Sequence, residues 1–225
     1  MEYCRQLGHD LSRVMMLITS AWADVVLNDL DACRHTAEAL ILFSEERGMS
    51  EGQGFGRVWQ GWSRLAGGDP DGAINTIASG LTDLDRLGSH NGDVFGRIHI
   101  ARAKIQMNDL DGAARELREA AALADRYGAH WADSDLCHAE AELMLKRGLP
   151  DEAEPHLRQA IAIAQQRELK WYELRATVSL ARLWRHQGKS AEAHTMLAEI
   201  YGWFTEGFDT KDLQEAKALL EELAV

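Results

Sequence analysis

Three stretches of this chain bring together residue types that can do chemistry. Gly188-Lys189-Ser190 combines an unhindered backbone, an ammonium and a hydroxyl, the groups that cradle phosphate and its magnesium ion. A phosphate loop also needs glycine five residues before Gly188, where Leu183 stands, and a strand leading in, where the pattern is helical. Gly52-Gln53-Gly54-Phe55-Gly56 has the glycine density of a dinucleotide turn, but its spacing misses the fingerprint and no strand precedes it. We read it as a flexible start to a helix. His130, Asp133, Asp135, Cys137 and His138 are the densest set of metal donors. On a helix Asp133 and Cys137 share one face and Asp135 and His138 another, so no three converge with ligand spacing. A solvated helix start with one buried cysteine is the expectation there. Local spacing assembles no serine–histidine–acid set. The chain is therefore expected to be no enzyme, with no catalytic residue, metal or cofactor.

The elements that carry these residues repeat. Cys33, Ala73, Ala113, Ala153 and Ala193 are spaced by 40, as are Ala21, Gly61, Ala101, Ala141 and Ala181. Asn28, Gly68, Asn108, Gly148 and Gly188 keep the same phase, and so do Gly48, Gly88 and Gly128. A constant period in this range marks stacked helical units, which mostly bind other molecules. Each unit reads as two antiparallel helices. The A segments are about 10–27, 51–67, 91–107, 131–147 and 171–187, and the B segments about 30–47, 70–87, 110–127, 150–167 and 190–203. Asp29, Asp69 and Asp109 stand where N-caps belong, and Pro70 and Pro150 at the first helical position. Thr210 is expected to cap a last helix running to about Leu223. The predicted fold is an all-α, right-handed superhelical solenoid of about five antiparallel helix pairs plus a C-terminal capping helix. It is read as one domain over 1–225, with units about 10–48, 50–88, 90–128, 130–168 and 170–204 and a capping helix about 210–223.

Composition narrows the partners. Apolar residues make up 46% of the chain, enough for a core, and no stretch approaches the length of a membrane span. The start, Met1-Glu2-Tyr3-Cys4, lacks the pattern of a signal peptide. The net charge of −12 disfavours nucleic acid and anionic membranes. Cys4, Cys33 and Cys137 are few, odd in number and far apart, which points to free thiols in a reducing cytoplasm.

Measured back from Gly188, the last unit carries Ala181, Trp184, Ala193, Leu197 and Ile200. These residues resemble the tetratricopeptide-repeat (TPR) motif, and Ala141, Met144, Gly148, Ala153, Leu157 and Ala160 fit it similarly. The motif's period is about 34, so each unit here is longer. HEAT repeats are the second architecture of comparable period. Leu180 to Trp184, Gln187 to Lys189, Tyr201 to Thr210 and Glu215 to Leu220 resemble the tail of large bacterial signalling proteins. Those proteins join a class III nucleotide cyclase, an ATPase module and tetratricopeptide repeats. The resemblance covers about the last fifty residues and none of the cyclase or ATPase motifs. It implies a regulatory module with upstream cyclase/ATPase domains of the same polypeptide among its partners.

The tetratricopeptide likeness places the A helices along a concave groove. By phase, the expected lining is Ile18 and Trp22, then Phe55, Val58 and Trp62, then Phe95, Ile98 and Arg102, with Arg175, Arg182 and Arg185 at the far end. One outcome is a groove that takes a partner helix or peptide by aromatic anchors, with the arginines selecting acidic groups. The other is that the long repeats bury these positions as core. Two further expectations are a sensor for a small apolar ligand and a homodimer formed through the stripe.

Overall fold

The computed structural model describes residues 9–90 and 92–224. Among them are eleven α-helices and no strand. They are α1 (Asp10–Val26), α2 (Leu30–Glu46), α3 (Ser50–Ala66), α4 (Pro70–Arg86), α5 (Asp93–Gln106), α6 (Leu110–Tyr127), α7 (Asp133–Lys146), α8 (Pro150–Gln166), α9 (Lys170–His186), α10 (Ser190–Tyr201) and α11 (Lys211–Leu223). The first ten are the predicted A and B helices to within about two residues, and α7 follows a short 3-10 turn, His130–Ala132.

The turns form as their residues dictate. Asp29 accepts the N–H of Ala32, Asp69 that of Gly72 and Asp109 that of Gly112, each at 2.9 Å. Each bond satisfies one of the donors a helix start leaves open. Asn28 and Gly68 end their A helices in the left-handed region, at φ 56° and 85°. Thr210 does stand at the N-cap position of α11, yet its hydroxyl donates back to the Gly207 carbonyl at 2.6 Å and caps nothing. The hydroxyl is drawn to the carbonyl that the tight turn at Gly207 leaves in reach.

The described chain packs as two compact units, one ending at Tyr127 and the other running from Gly128. The first holds three hairpins, α1–α2, α3–α4 and α5–α6, with α2 also packed on α3 and α4 on α5. Its core includes Leu17, Leu40, Val58, Leu84 and Phe95. The second holds the hairpins α7–α8 and α9–α10, with α11 laid on α9 and α10. Leu174, Ala181, Leu197, Leu213, Ala216 and Leu219 belong to one cluster of its core. Each such buried large aliphatic side chain contributes about 1.5–3 kcal/mol.

The small-residue columns set how close the helices come. Ala21, Ala101, Ala141 and Ala181 are fully buried, as are Cys33, Ala73, Ala113, Ala153 and Ala193. A Cβ added at Gly80 would lie 2.6 Å from the Gly54 carbonyl, and one at Gly54 would lie 2.8 Å from Leu84 Cγ. The glycines of α3 therefore bring its backbone against α4. They sit inside the helix as contact surfaces, which corrects the expectation of a flexible helix start.

Candidate functional site

The candidate site is a row of side chains on α1, and the repeat shows why that row is unusual. In α3 the positions Gly52, Gly56, Trp59 and Ser63 are all buried, and so are Gly92, the N-cap of α5, and Gly96, His99 and Ala103 within it. These rows receive the preceding B helix. A Cβ at Gly56 would meet Ile41 and, at 3.3 Å, the Ala37 carbonyl of α2. A Cβ at Gly96 would meet Leu81 and Ile77 of α4, and Ala103 packs with Ala73 and Ile74. In the second unit Ala176 packs with Ala160 and Ile161, and Leu183 with Leu157 and Ile161. Forty residues before the α3 row stand Ser12, Met16, Thr19 and Ala23 of α1, and all four are exposed.

The surface beside this row is apolar. Leu11 is 64% exposed, Met15 52% and Trp22 41%, and Ser20 is exposed between them. No charged residue lies among the exposed positions from Leu11 to Ala23, in a chain of which 27% is charged. The nearby charges are turned to the α2 side. Arg13 lies over the Phe43 ring at 4.1 Å, Asp10 pairs with Arg47 at 3.2 Å, and Asp24 accepts the Thr36 hydroxyl at 2.8 Å. Burial pushes the Asp24 carboxyl above its ordinary value, with the Thr36 bond acting the other way.

The expected groove residues divide. Ile18 is half-buried and Trp22 exposed, while Phe55, Val58, Trp62, Phe95 and Ile98 are buried. Trp59 and Phe95 meet edge to face at 4.7 Å, and Phe55, Val58 and Trp62 belong to the same core cluster. Five of the six side chains expected along a groove in the second and third units are buried, and the sixth, Arg102, is half-buried. Arg175, Arg182 and Arg185 face α11: Arg175 Nε donates to Asp212 at 2.6 Å, Arg182 pairs with Glu215 and Arg185 with Glu222. The acidic groups that these three arginines meet in this structure belong to the chain's own last helix.

The donor cluster on α7 is dispersed in ordinary contacts. Asp133 pairs with His130 at 3.3 Å and Arg167 at 3.5 Å. His138 Nε2 lies 2.8 Å from Ser179 Oγ and 3.7 Å from Glu142. Local spacing could not reveal this serine–histidine contact, which joins α7 to α9. The acid approaches the same ring nitrogen as the serine, whereas a nucleophile-activating set needs it on the other. Among the described residues no three histidine, cysteine or acidic side chains converge on one point. Cys33 and Cys137 are buried free thiols, each pushed up to about 12 by burial first and neighbouring carboxylates second. Cys4 lies outside the described residues. No described helix is long and apolar enough to cross a membrane.

No family profile matches the chain, and no curated protein is significantly similar to it. Solved structures are similar in fold. A thermophilic TPR protein of Thermus thermophilus superposes with a TM-score of 0.64 at 18% identity, over 94% of this chain and 100% of that one. The apo form of RapI superposes with a TM-score of 0.58 at 11% identity, over 95% and 83%. Nearly identical TPR-like repeats from Podosopora anserina give 0.53 at 17%, over 85% and 94%. The fold is a TPR-like helical repeat. Such folds serve generally as scaffolds for protein–protein contact.

Proposed function

We propose that this chain is a non-enzymatic interaction module that binds a helix or peptide of a protein partner. The observation that carries the reading is the uncharged face of α1, with Leu11, Met15 and Trp22 exposed beside the row Ser12, Met16, Thr19 and Ala23. Apolar patches of this kind on a folded protein mark interaction sites, and tryptophan is enriched among the anchors within them. The buried members of the expected groove, Phe55, Val58, Trp62, Phe95 and Ile98, act in this reading as the frame that holds the α1–α2 hairpin in place. The C-terminal likeness to cyclase/ATPase/tetratricopeptide proteins supports a regulatory place in a bacterial signalling assembly, in the cytoplasm.

Two tryptophans in the same column separate the readings. Trp22→Ala is expected to abolish partner capture while the chain stays folded, with its helical circular dichroism retained. Trp62→Ala is expected to destabilise the fold by about 3–5 kcal/mol, since it opens a cavity in the core. Thermal unfolding and comparative affinity capture measure both. Capture unchanged by Trp22→Ala would sink the proposal.

A further inference from the structure

We infer that the segment joining α10 to α11, residues 202–210, is a docking surface for an arginine-bearing peptide of a partner protein. It belongs to the second compact unit, and its chemistry does not depend on the α1 reading. Trp203 and Phe208 are the most exposed large apolar side chains described in that unit, at 57% and 47%. The segment that presents them is anchored from beneath. Phe204 is 7% exposed and meets Trp171 of α9 at 4.8 Å and Trp203 edge-on at 5.1 Å. Tyr201 meets Phe208 at 5.8 Å. Gly207 takes φ 77°, and a Cβ added there would stand 3.7 Å from Trp171. Two rings are thus held at the surface by packing, which lowers the entropy a partner must overcome on contact.

Charge selects the occupant. Glu206 stands between the two rings in sequence and Asp209 follows Phe208; both are exposed, and neither makes an ion pair among the described residues. Glu199, in the last turn of α10, is exposed as well. The segment itself holds no cation; Lys211 opens α11, and Lys170 of α9 is tied to Glu173 at 2.7 Å. Elsewhere the chain sets a cation of its own on a ring and pairs it with a carboxylate. Arg158 lies 5.2 Å over Trp184 and bonds Glu154, which also accepts the indole N–H. Arg47 lies 5.4 Å over Phe43 and pairs with Asp10. Lys170 lies 5.7 Å over Trp203 while bonded to Glu173. Phe208, flanked by two carboxylates, has no such cation among the described residues. A guanidinium can stack on a ring and grip a carboxylate with its planar fork, which an ammonium cannot do, so arginine fits this surface better than lysine.

The test uses the full-length chain and a fluorescein-labelled peptide of alternating glycine and arginine, titrated by anisotropy at about 0.15 M salt, where diffuse attraction is screened. Saturable binding is expected. Phe208→Ala, and separately Glu206→Gln with Asp209→Asn, should each weaken it about ten-fold with helical circular dichroism retained. The second variant alters no packed ring, so it carries the test should Phe208→Ala lose helix. Glu45→Gln with Glu46→Gln removes the same charge from α2 and should leave binding within about two-fold of the parent. A glycine–lysine peptide should bind more weakly than the arginine one. Equal losses from the α2 variant would reduce the effect to net charge and overturn the inference, as would equal binding of the lysine peptide or indifference to the loop variants. So would a dimer in sedimentation equilibrium that Phe208→Ala converts to monomer, since the surface then belongs to a second copy. Binding seen only after deletion of residues 1–8 would assign the surface to the chain's own leading segment and overturn it too. Trp22→Ala should leave this binding unchanged, so this inference and the α1 reading stand or fall separately.

Discussion

At the scale of single residues, Glu168 is the odd member of its column. Gly48, Gly88 and Gly128 end their B helices with φ between 65° and 68°, and Glu168 takes φ 58° at the same place. A side chain with a Cβ adopts this region at a cost of about 1–2 kcal/mol. Glycine regains that cost less the entropy it adds to the unfolded chain. Glu168→Gly is therefore expected to stabilise the protein by about 0.5–1 kcal/mol, read as a higher urea midpoint at unchanged slope. Glu154 shows the opposite kind of fit. Its carboxylate accepts two hydrogen bonds from Arg158, at 2.7 and 3.1 Å, and one from the Trp184 indole at 3.1 Å. The Arg158 bond first and the indole bond with it hold the carboxyl below its ordinary value, against the pull of burial. A depressed carboxylate stabilises the fold above its ordinary pKa, and that stability is lost as pH falls through the folded value. Glu154→Gln should cost about 1 kcal/mol at pH 7, and the deficit should shrink as the pH falls through the lowered pKa of the folded carboxyl. The aspartate caps and the left-handed turns at glycine and asparagine were legible in the sequence because each depends on one residue and its immediate neighbours. The contact of His138 with Ser179 was not, because it joins residues on two helices whose facing sides no local pattern fixes.

At the scale of elements, the helices declare themselves by period, but which face of each meets which neighbour does not. Trp62 and Trp22 share a column and a residue type, yet one is 7% exposed and the other 41%. Among the described residues, α3 has helices packed on both sides, whereas α1 packs on α2 and α3. A reading of residue types alone assigns both tryptophans one role. The arginines of α9 teach the same lesson, since their carboxylate partners lie on α11, more than thirty residues along the chain. The glycines of α3 were noticed for the flexibility they could give a loop, while their use here is proximity. Gly80→Ala forces a Cβ against the Gly54 carbonyl at 2.6 Å, where only backbone movement can relieve it. It is expected to destabilise the first unit by about 1–3 kcal/mol, measured by chemical denaturation.

At the scale of the whole molecule, among the described residues each compact unit carries one buried thiol, Cys33 in the first and Cys137 in the second. Burial raises both to about 12, so neither forms thiolate at neutral pH. In a Cys4→Ser background both are expected to resist a disulfide reagent in the native state. They should become reactive only as helical circular dichroism is lost on unfolding. Labelling of either thiol while helix content is intact would show that its unit opens locally.

The unbroken forty-residue phase carries a consequence for how such a chain can change over generations. Excising or doubling any forty consecutive codons inside the array returns every cap, every small contact and every left-handed turn to its own column. Misaligned recombination between neighbouring units would thus alter the length of the molecule without scrambling its grammar. A point substitution at the Gly54–Gly80 contact has no such licence. Length is expected to vary among close relatives more freely than that single touch of backbone on backbone.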